Sequence, residues 1–195
     1  ELKGHQSTLQ TFYAKPLAVF KNLSEQYDTQ AVFCNRDYEP QAIKRDTEIY
    51  HFFKTQNIPF KAFKDQVIFD KNEVLKIDGT PYTVYTPYSK KWKEKLTTEN
   101  YQVHLSDFAN FLKQGFSEIH SLQEIGFKKT DFDFVEPTLD PAIIDEYDKY
   151  RDYPAMQRTT QLGIALRFGT ISVRKCVAFA LEHNQTWLNE LIWRE

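Results

Sequence analysis

The chain has 195 residues, 41% of them apolar and 15% aromatic, with a formal net charge of −2. That is enough for one ordinary domain or somewhat more, with aromatic side chains to fill a core. No global basic field announces nucleic acid, so any nucleic-acid face has to be local, and no apolar run approaches the roughly 20 residues of a membrane span.

Charge is unevenly spread. Acids dominate residues 101–148, whereas Lys90, Lys91, Lys93 and Lys95 form a small basic cluster; both read as solvated surface. Cys34 and Cys176 stand far apart and match no metal or redox spacing, which suits buried free thiols in a reducing compartment. With no signal peptide at the start, a cytoplasmic protein is expected.

In chain order, "TLQTFY" (8–13) and "AVFCN" (31–35) are short runs suited to strands. Between them "PLAVFKNLSEQY" (16–27) has Leu17, Phe20 and Leu23 at helical spacing behind Pro16. "YEPQAIKRDTEIYHFFKTQN" (38–57) predicts a long helix with Pro40 in its first turn, and "IPFKAF" (58–63) another strand. Alternating strands and helices argue for a parallel, doubly wound sheet with helices on its faces. "VLKIDGTPYTVY" (74–85) reads as a β-hairpin or an extended excursion around the "DGTP" turn. A polar, acidic connector follows, with one helix expected over "DFANFLKQGFSEIH" (107–120) and punctuation at Pro137 and Pro141. Beyond it the pattern is helical: Ser172 is a good N-cap for Val173, Cys176, Val177 and Ala180, and Thr186 can cap the last helix. The fold class is thus α/β, a partial doubly wound parallel sheet followed by the start of an all-helical part.

Several signals fail. His5, His51, His104, His120 and His183 show no ligand spacing, so no metal is expected, and there is no GxGxxG, GxxxxGK[ST] or GxSxG. The last stretch, "WLNELIWRE" (187–195), is more informative. Wound at about 3.6 residues per turn, Leu188, Leu191 and Ile192 share one face, while Glu190 and Trp193 sit together on the opposite one. A carboxylate beside a large aromatic away from the apolar stripe suits a pocket wall; burial of Trp193 by a segment outside this chain would suit it too.

Four blocks, "VFCNRDYEPQAIKRD" (32–46), "GTPYTVYTPYSKKW" (79–92), "YDKYRDYPAMQRTTQLGIALRFGTISVRKC" (147–176) and "WLNELIWRE" (187–195), occur in the order found in the DNA photolyase/cryptochrome family, which the chain resembles. The resemblance implies a partial α/β antenna domain over 1–96, an interdomain connector over 97–140, and the N-terminal part of a helical FAD-binding domain over 141–195. It implies a piece truncated at both ends, which fits the absence of an initiator Met and of a terminal cap. The activity implied is light-driven repair of cyclobutane pyrimidine dimers by electron transfer from reduced FAD, a carbon–carbon lyase reaction on UV-damaged DNA. A complete protein of this kind is expected to be monomeric and to have no membrane partner.

Residue by residue, the resemblance implies FAD contacts at Tyr147 and at Thr159, Thr160, Gln161, Leu162 and Gly163, the latter around the phosphates. Thr160 and Gly163 depart from the family pattern: the threonine keeps a hydroxyl, whereas the glycine loses one but keeps its N–H. A plain cap in a polar turn is the other reading of that stretch. Arg151 matches a residue that meets the DNA backbone, a task a planar guanidinium suits; an ion pair with Asp152 or another nearby acid accounts for it as well. Glu190 would hydrogen-bond a thymine edge and stabilise charge during ring opening, Trp193 would wall the pocket for the flipped lesion, and Arg194 is expected at the DNA. Glu39 resembles a carboxylate that touches a folate antenna in some relatives, others using a deazaflavin; a simple helix N-terminal acid explains it equally well. Two rivals remain: a cryptochrome-type flavin photoreceptor, and a non-catalytic α/β nucleotide-binding module.

Overall fold

The structure, a computed structural model, describes residues 2–104, 107–132, 134 and 136–195; the parts of the expected connector at 105, 106, 133 and 135 lie outside the described residues. The chain forms two compact units, one of Glu1–Lys61 with His104–Phe134, the other of Ala62–Val103 with Val135–Glu195.

In the first unit, helix α1 (Pro16–Gln26) packs on helix α2 (Pro40–Thr55). Each begins with proline at its first position, where the missing N–H costs nothing and the fixed φ is already helical. Ala42, Ile49 and Phe53 recur at helical spacing on the buried face of α2, and Phe20 meets Phe53 edge to face at 5.8 Å. Strands β1 (Val32–Asn35) and β2 (Phe60–Phe63) pair side by side in a small parallel sheet, with α2 as the connection between them. The α/β character read from the sequence is what the chain adopts.

Two expected elements do not form. Residues 8–13 make no strand; instead the Thr8 and Thr11 hydroxyl oxygens accept the N–H groups of Ser117 and His120 at 3.1 and 3.2 Å. The helix expected over 107–120 reduces to a 3-10 turn at Phe108–Asn110, capped by the Asp107 carboxylate. A helix of that length draws most of its stability from a packed face. Phe111, Leu112, Phe116 and Ile119 have none, being exposed, and Gly115 weakens the helix further.

The second unit opens with a turn rather than a full hairpin. Leu75 and Pro81 form one antiparallel bridge, and Gly79 adopts φ 77°, a left-handed conformation that glycine enters without strain. The arm ends there, because helix α3 (Tyr85–Lys95) begins where the sequence suggested continued extension. Pro87 falls in its first turn, and Tyr85, Tyr88 and Trp92 follow helical spacing, a stripe hidden by the β-rich run before it.

After the short helix α4 (Thr98–Tyr101) come two single-turn helices, α5 (Pro141–Ile144) and α6 (Tyr147–Tyr150), then α7 (Gly163–Phe168), α8 (Val173–His183) and α9 (Gln185–Trp193). Val173, Cys176, Val177 and Ala180 of α8 interlock with Trp187, Leu188, Leu191 and Ile192 of α9, and Trp92 of α3 is fully enclosed in the same cluster. Burial pushes the Cys176 thiol up to about 11, so it is an inert packing group. Among the described residues no helix is long and apolar enough to cross a membrane.

Candidate functional site

Helix α9 carries the site. Its N-cap is Asn184, not Thr186: the Asn184 Oδ1 accepts the N–H groups of Thr186 and Trp187 at 2.9 and 3.1 Å. An N-cap must sit one residue before the helix with extended backbone, and Asn184 (φ −149°, ψ 115°) does so while also closing α8. Its amide nitrogen donates to the Asp148 carboxylate at 3.0 Å and the Asp145 carbonyl at 3.3 Å. So anchored, α9 buries Leu188, Leu191 and Ile192 and turns Glu190 and Trp193 away from the core, as its periodicity requires.

Across from Glu190 stands Arg151, at the C-cap of α6, with Nη1 2.5 Å from Glu190 Oε1 and Nε 3.6 Å from the Asp152 carboxylate. The Arg151 guanidinium lies over the Tyr147 ring, 5.6 Å from its centroid. Each of the paired side chains keeps about a third of its surface exposed, so the pair faces solvent on one side. The hydrogen bond to Glu190 raises the Arg151 pKa, and burial, followed by the Glu190 charge, raises that of the Tyr147 hydroxyl. Tyr147 therefore remains a neutral hydrogen-bonding group.

Trp193 is 62% exposed, whereas Trp92 and Trp187 are buried. One face of its indole is stacked on Tyr85 at 4.2 Å between centroids and 4° between planes. The two residues after it are held inward. Arg194 donates from Nη1 to the Gln66 carbonyl at 2.5 Å and from Nη2 to the Leu166 carbonyl at 3.0 Å. The contact with DNA expected of Arg194 has to compete with those two bonds. Glu195 accepts from Trp92 Nε1 at 2.6 Å, from the Phe69 N–H at 3.3 Å and from the Ile68 N–H. Its carboxyl end is enclosed, and burial raises its pKa despite those donors. Nearby, burial and then the Glu195 charge push the Tyr88 hydroxyl up to about 12.

The stretch 159–163 precedes α7. Thr159 and Gln161 are exposed, Thr160 is half-buried, Leu162 is buried at the N-cap position, and Gly163 starts the helix. Gln161 takes φ 51°, which turns the chain sharply into α7. Glu39 occupies the N-cap position of α2 by its backbone, its carbonyl accepting the Ile43 N–H at 2.9 Å. It borders an open cleft of about 740 Å³, with Lys15, Lys21, Lys44 and Arg45 on the rim. Among the described residues no group of His, Cys, Asp and Glu could hold a metal ion.

The structure thus brings Tyr147, Arg151 and Glu190 together and sets Trp193 one helical turn from Glu190. Sequence reasoning missed Asn184, Tyr85, Trp92 and the Glu195 seat; the helical spacing of Tyr85 and Trp92 was the available signal.

The chain thus joins a two-stranded α/β unit to a helical unit that ends on a Glu–Trp face, and comparison with known proteins identifies its class. Residues 1–106 match the family model described as DNA photolyase, more than half of the sequence, and the chain belongs to that family. It is 29% identical to the deoxyribodipyrimidine photo-lyase of a Synechococcus species over 97% of this chain and 45% of that protein. The corresponding protein of Alkalihalophilus pseudofirmus is 28% identical over 91% and 41%. Among solved structures, a class III photolyase from Agrobacterium tumefaciens superposes with TM-score 0.68 at 18% identity, covering 91% of this chain and 42% of that one. An archaeal photolyase from Sulfolobus tokodaii, solved with two FAD molecules, gives 0.65 at 21% over 99% and 43%. A Synechocystis cryptochrome gives 0.62 at 15% over 98% and 45%. These likenesses show the fold. The chain spans less than half the length of the deoxyribodipyrimidine photo-lyases it matches.

Proposed function

We propose that the chain is a segment of a light-driven DNA-repair photolyase acting on cyclobutane pyrimidine dimers. The observation that supports this reading is the convergence of Arg151, Glu190 and Trp193 on the solvent side of the second unit. Residues 1–96 would then belong to an antenna domain, 97–140 to a connector and 141–195 to a flavin-binding domain.

In this reading Tyr147, Thr159, Thr160, Gln161 and Gly163 hold FAD, and buried Leu162 fixes their segment. The donor set fits the ligand. Helix α7 has only six residues, so its dipole is small; threonine hydroxyls and first-turn N–H groups supply the phosphate donors instead. An added side chain at Gly163 would meet nothing within 4 Å, so the backbone there is open to close approach. When bound, reduced FAD supplies a photoexcited electron and takes it back once both ring bonds have opened, so no net oxidant or reductant is needed. A folate or deazaflavin antenna would lie against Glu39.

The chain's own residues do the rest. Arg151 binds a phosphate of the damaged strand, a charge-assisted contact that carries no sequence information. Glu190 meets the thymine edge and the charge that develops on it. Trp193 offers a flat apolar wall to the flipped pair, whose extrusion costs less than that of intact bases.

The test is light-dependent loss of thymine dimers from an oligonucleotide in a full-length protein carrying this segment. Repair under blue light and none in the dark supports the reading. Stoichiometric flavin without repair would make the protein a cryptochrome-type photoreceptor, and no flavin at all would leave a nucleotide-binding module.

A further inference from the structure

The stretch 79–92 is one of the blocks that mark the family, yet the function proposed above gives none of its residues a role. Its fold shows where it acts. Helix α3 packs along α9, with contacts at Asn189, Trp193 and Glu195. The Tyr85 ring is parallel to the Trp193 indole, with 4.2 Å between centroids, a close stack. The Tyr85 hydroxyl donates to the Asn189 carbonyl at 3.0 Å, one turn before Trp193, and Lys93 Nζ reaches the Asn189 side chain at 2.8 Å. Two turns of α3 on from Tyr85, Trp92 Nε1 holds Glu195, two residues beyond Trp193.

We infer that Tyr85 is a positioning residue for lesion recognition: it backs one face of Trp193, fixes the plane of the indole and leaves the other face for the lesion. This rests on the reading of Trp193 as a pocket wall. An exposed tryptophan without a backing ring samples several rotamers, and a stacking partner has to reselect one of them on binding. The parallel stack removes that freedom beforehand. Tyr85 itself is joined to α9 by its hydroxyl, so ring and helix keep one register.

Trp193 is the sole exposed tryptophan of the three, so quenching by an external agent such as acrylamide reads it selectively in the 195-residue chain. Dimer preference, the ratio of affinities for dimer-containing and intact duplex, is read in a full-length protein carrying the segment. Tyr85→Leu should raise the quenching of Trp193 and lower dimer preference about two- to tenfold, the range such an aromatic pair contributes, with flavin content unchanged. Tyr85→Phe should retain both properties, because the stack survives loss of the hydroxyl. In a Trp193→Ala background, Tyr85→Leu should lower dimer preference no further. Should the leucine variant not fold, Tyr85→Met takes its place under the same criteria. If Trp193→Ala lowers dimer preference while the Tyr85 variants match wild type, the inference is overturned and the pocket-wall reading stands. If Trp193→Ala leaves dimer preference intact, the pocket-wall reading has failed and takes the inference with it.

Discussion

Arg151 and Glu190, 39 residues apart in sequence, are joined by an ion pair of 2.5 Å. Both are expected at damaged DNA, one at a phosphate and the other at a base edge, and each occupies the other's ligand position. In the function proposed above, a phosphate arriving at Arg151 would replace Glu190 as its acceptor and release that carboxylate toward the lesion. The pair is a partly exposed one, so breaking it costs only about 1 kcal/mol or less.

Opposite effects follow from removing either partner. In the full-length protein, Arg151→Ala should weaken binding to damaged and intact duplex alike and reduce the salt dependence by about one counterion. Glu190→Gln should remove the nearer of the two carboxylates at Arg151, so affinity for intact duplex holds or rises slightly while dimer preference falls. Fluorescence anisotropy across a salt series measures both; a uniform loss in both variants would contradict the exchange.

Trp193→Ala should cost about 1–3 kcal/mol in binding to dimer-containing DNA, the worth of one base–aromatic stack, with affinity for intact duplex nearly unchanged. Flavin absorbance serves as the control. If the variant unfolds or loses flavin, Trp193 is a packing residue.

Glu195 makes stability depend on pH in a definite sense. Burial raises its folded pKa above the ordinary 4.5, so the folded chain holds the proton more tightly than the unfolded one. The resulting stabilisation is complete below the unfolded value and is lost as pH rises through the folded value. Glu195→Gln should lack this component. From about pH 4.5 to neutrality the urea midpoint of the wild-type chain should fall relative to that of Glu195→Gln, and parallel curves would show that Glu195 does not titrate there.

Asn184→Ala removes the cap of α9 and two further bonds, and should destabilise by about 1–2 kcal/mol. For a chain of this size that is about 2–8 °C in melting temperature. Thr186→Ala should have little effect, since its side chain does not cap. Calorimetry on the two variants decides between the caps.

Much of the fold was legible because period and punctuation agreed. α1 and α2 combine proline starts with apolar spacing, β1 and β2 combine β-rich runs with short length, and the two faces of α9 follow from its helical period alone. Where signals conflicted, packing decided. Tyr85, Tyr88 and Trp92 had helical spacing but lay behind a β-rich run; the run from Phe108 to Ile119 had helical spacing but no surface to cover. At the site, periodicity isolates Glu190 and Trp193, whereas the partnership with Arg151 depends on how α6 meets α9, which no local pattern encodes. Thr186 lies two residues past the cap, and the Asn184 side chain makes the capping bonds.

That asparagine closes α8 and opens α9 with no residue between them, so the two helices meet at a rigid elbow. A joint without slack converts any change in residue count into rotation. One residue inserted between 184 and 190 would swing everything downstream by about 100° around the helix axis. Glu190 and Trp193 would point sideways, Arg151 would face an empty position, and Arg194 and Glu195 would leave their carbonyl and indole partners together. Substitutions along this helix can be absorbed one at a time, but its length behaves as a quantised property: the aim of the recognition face is set by counting.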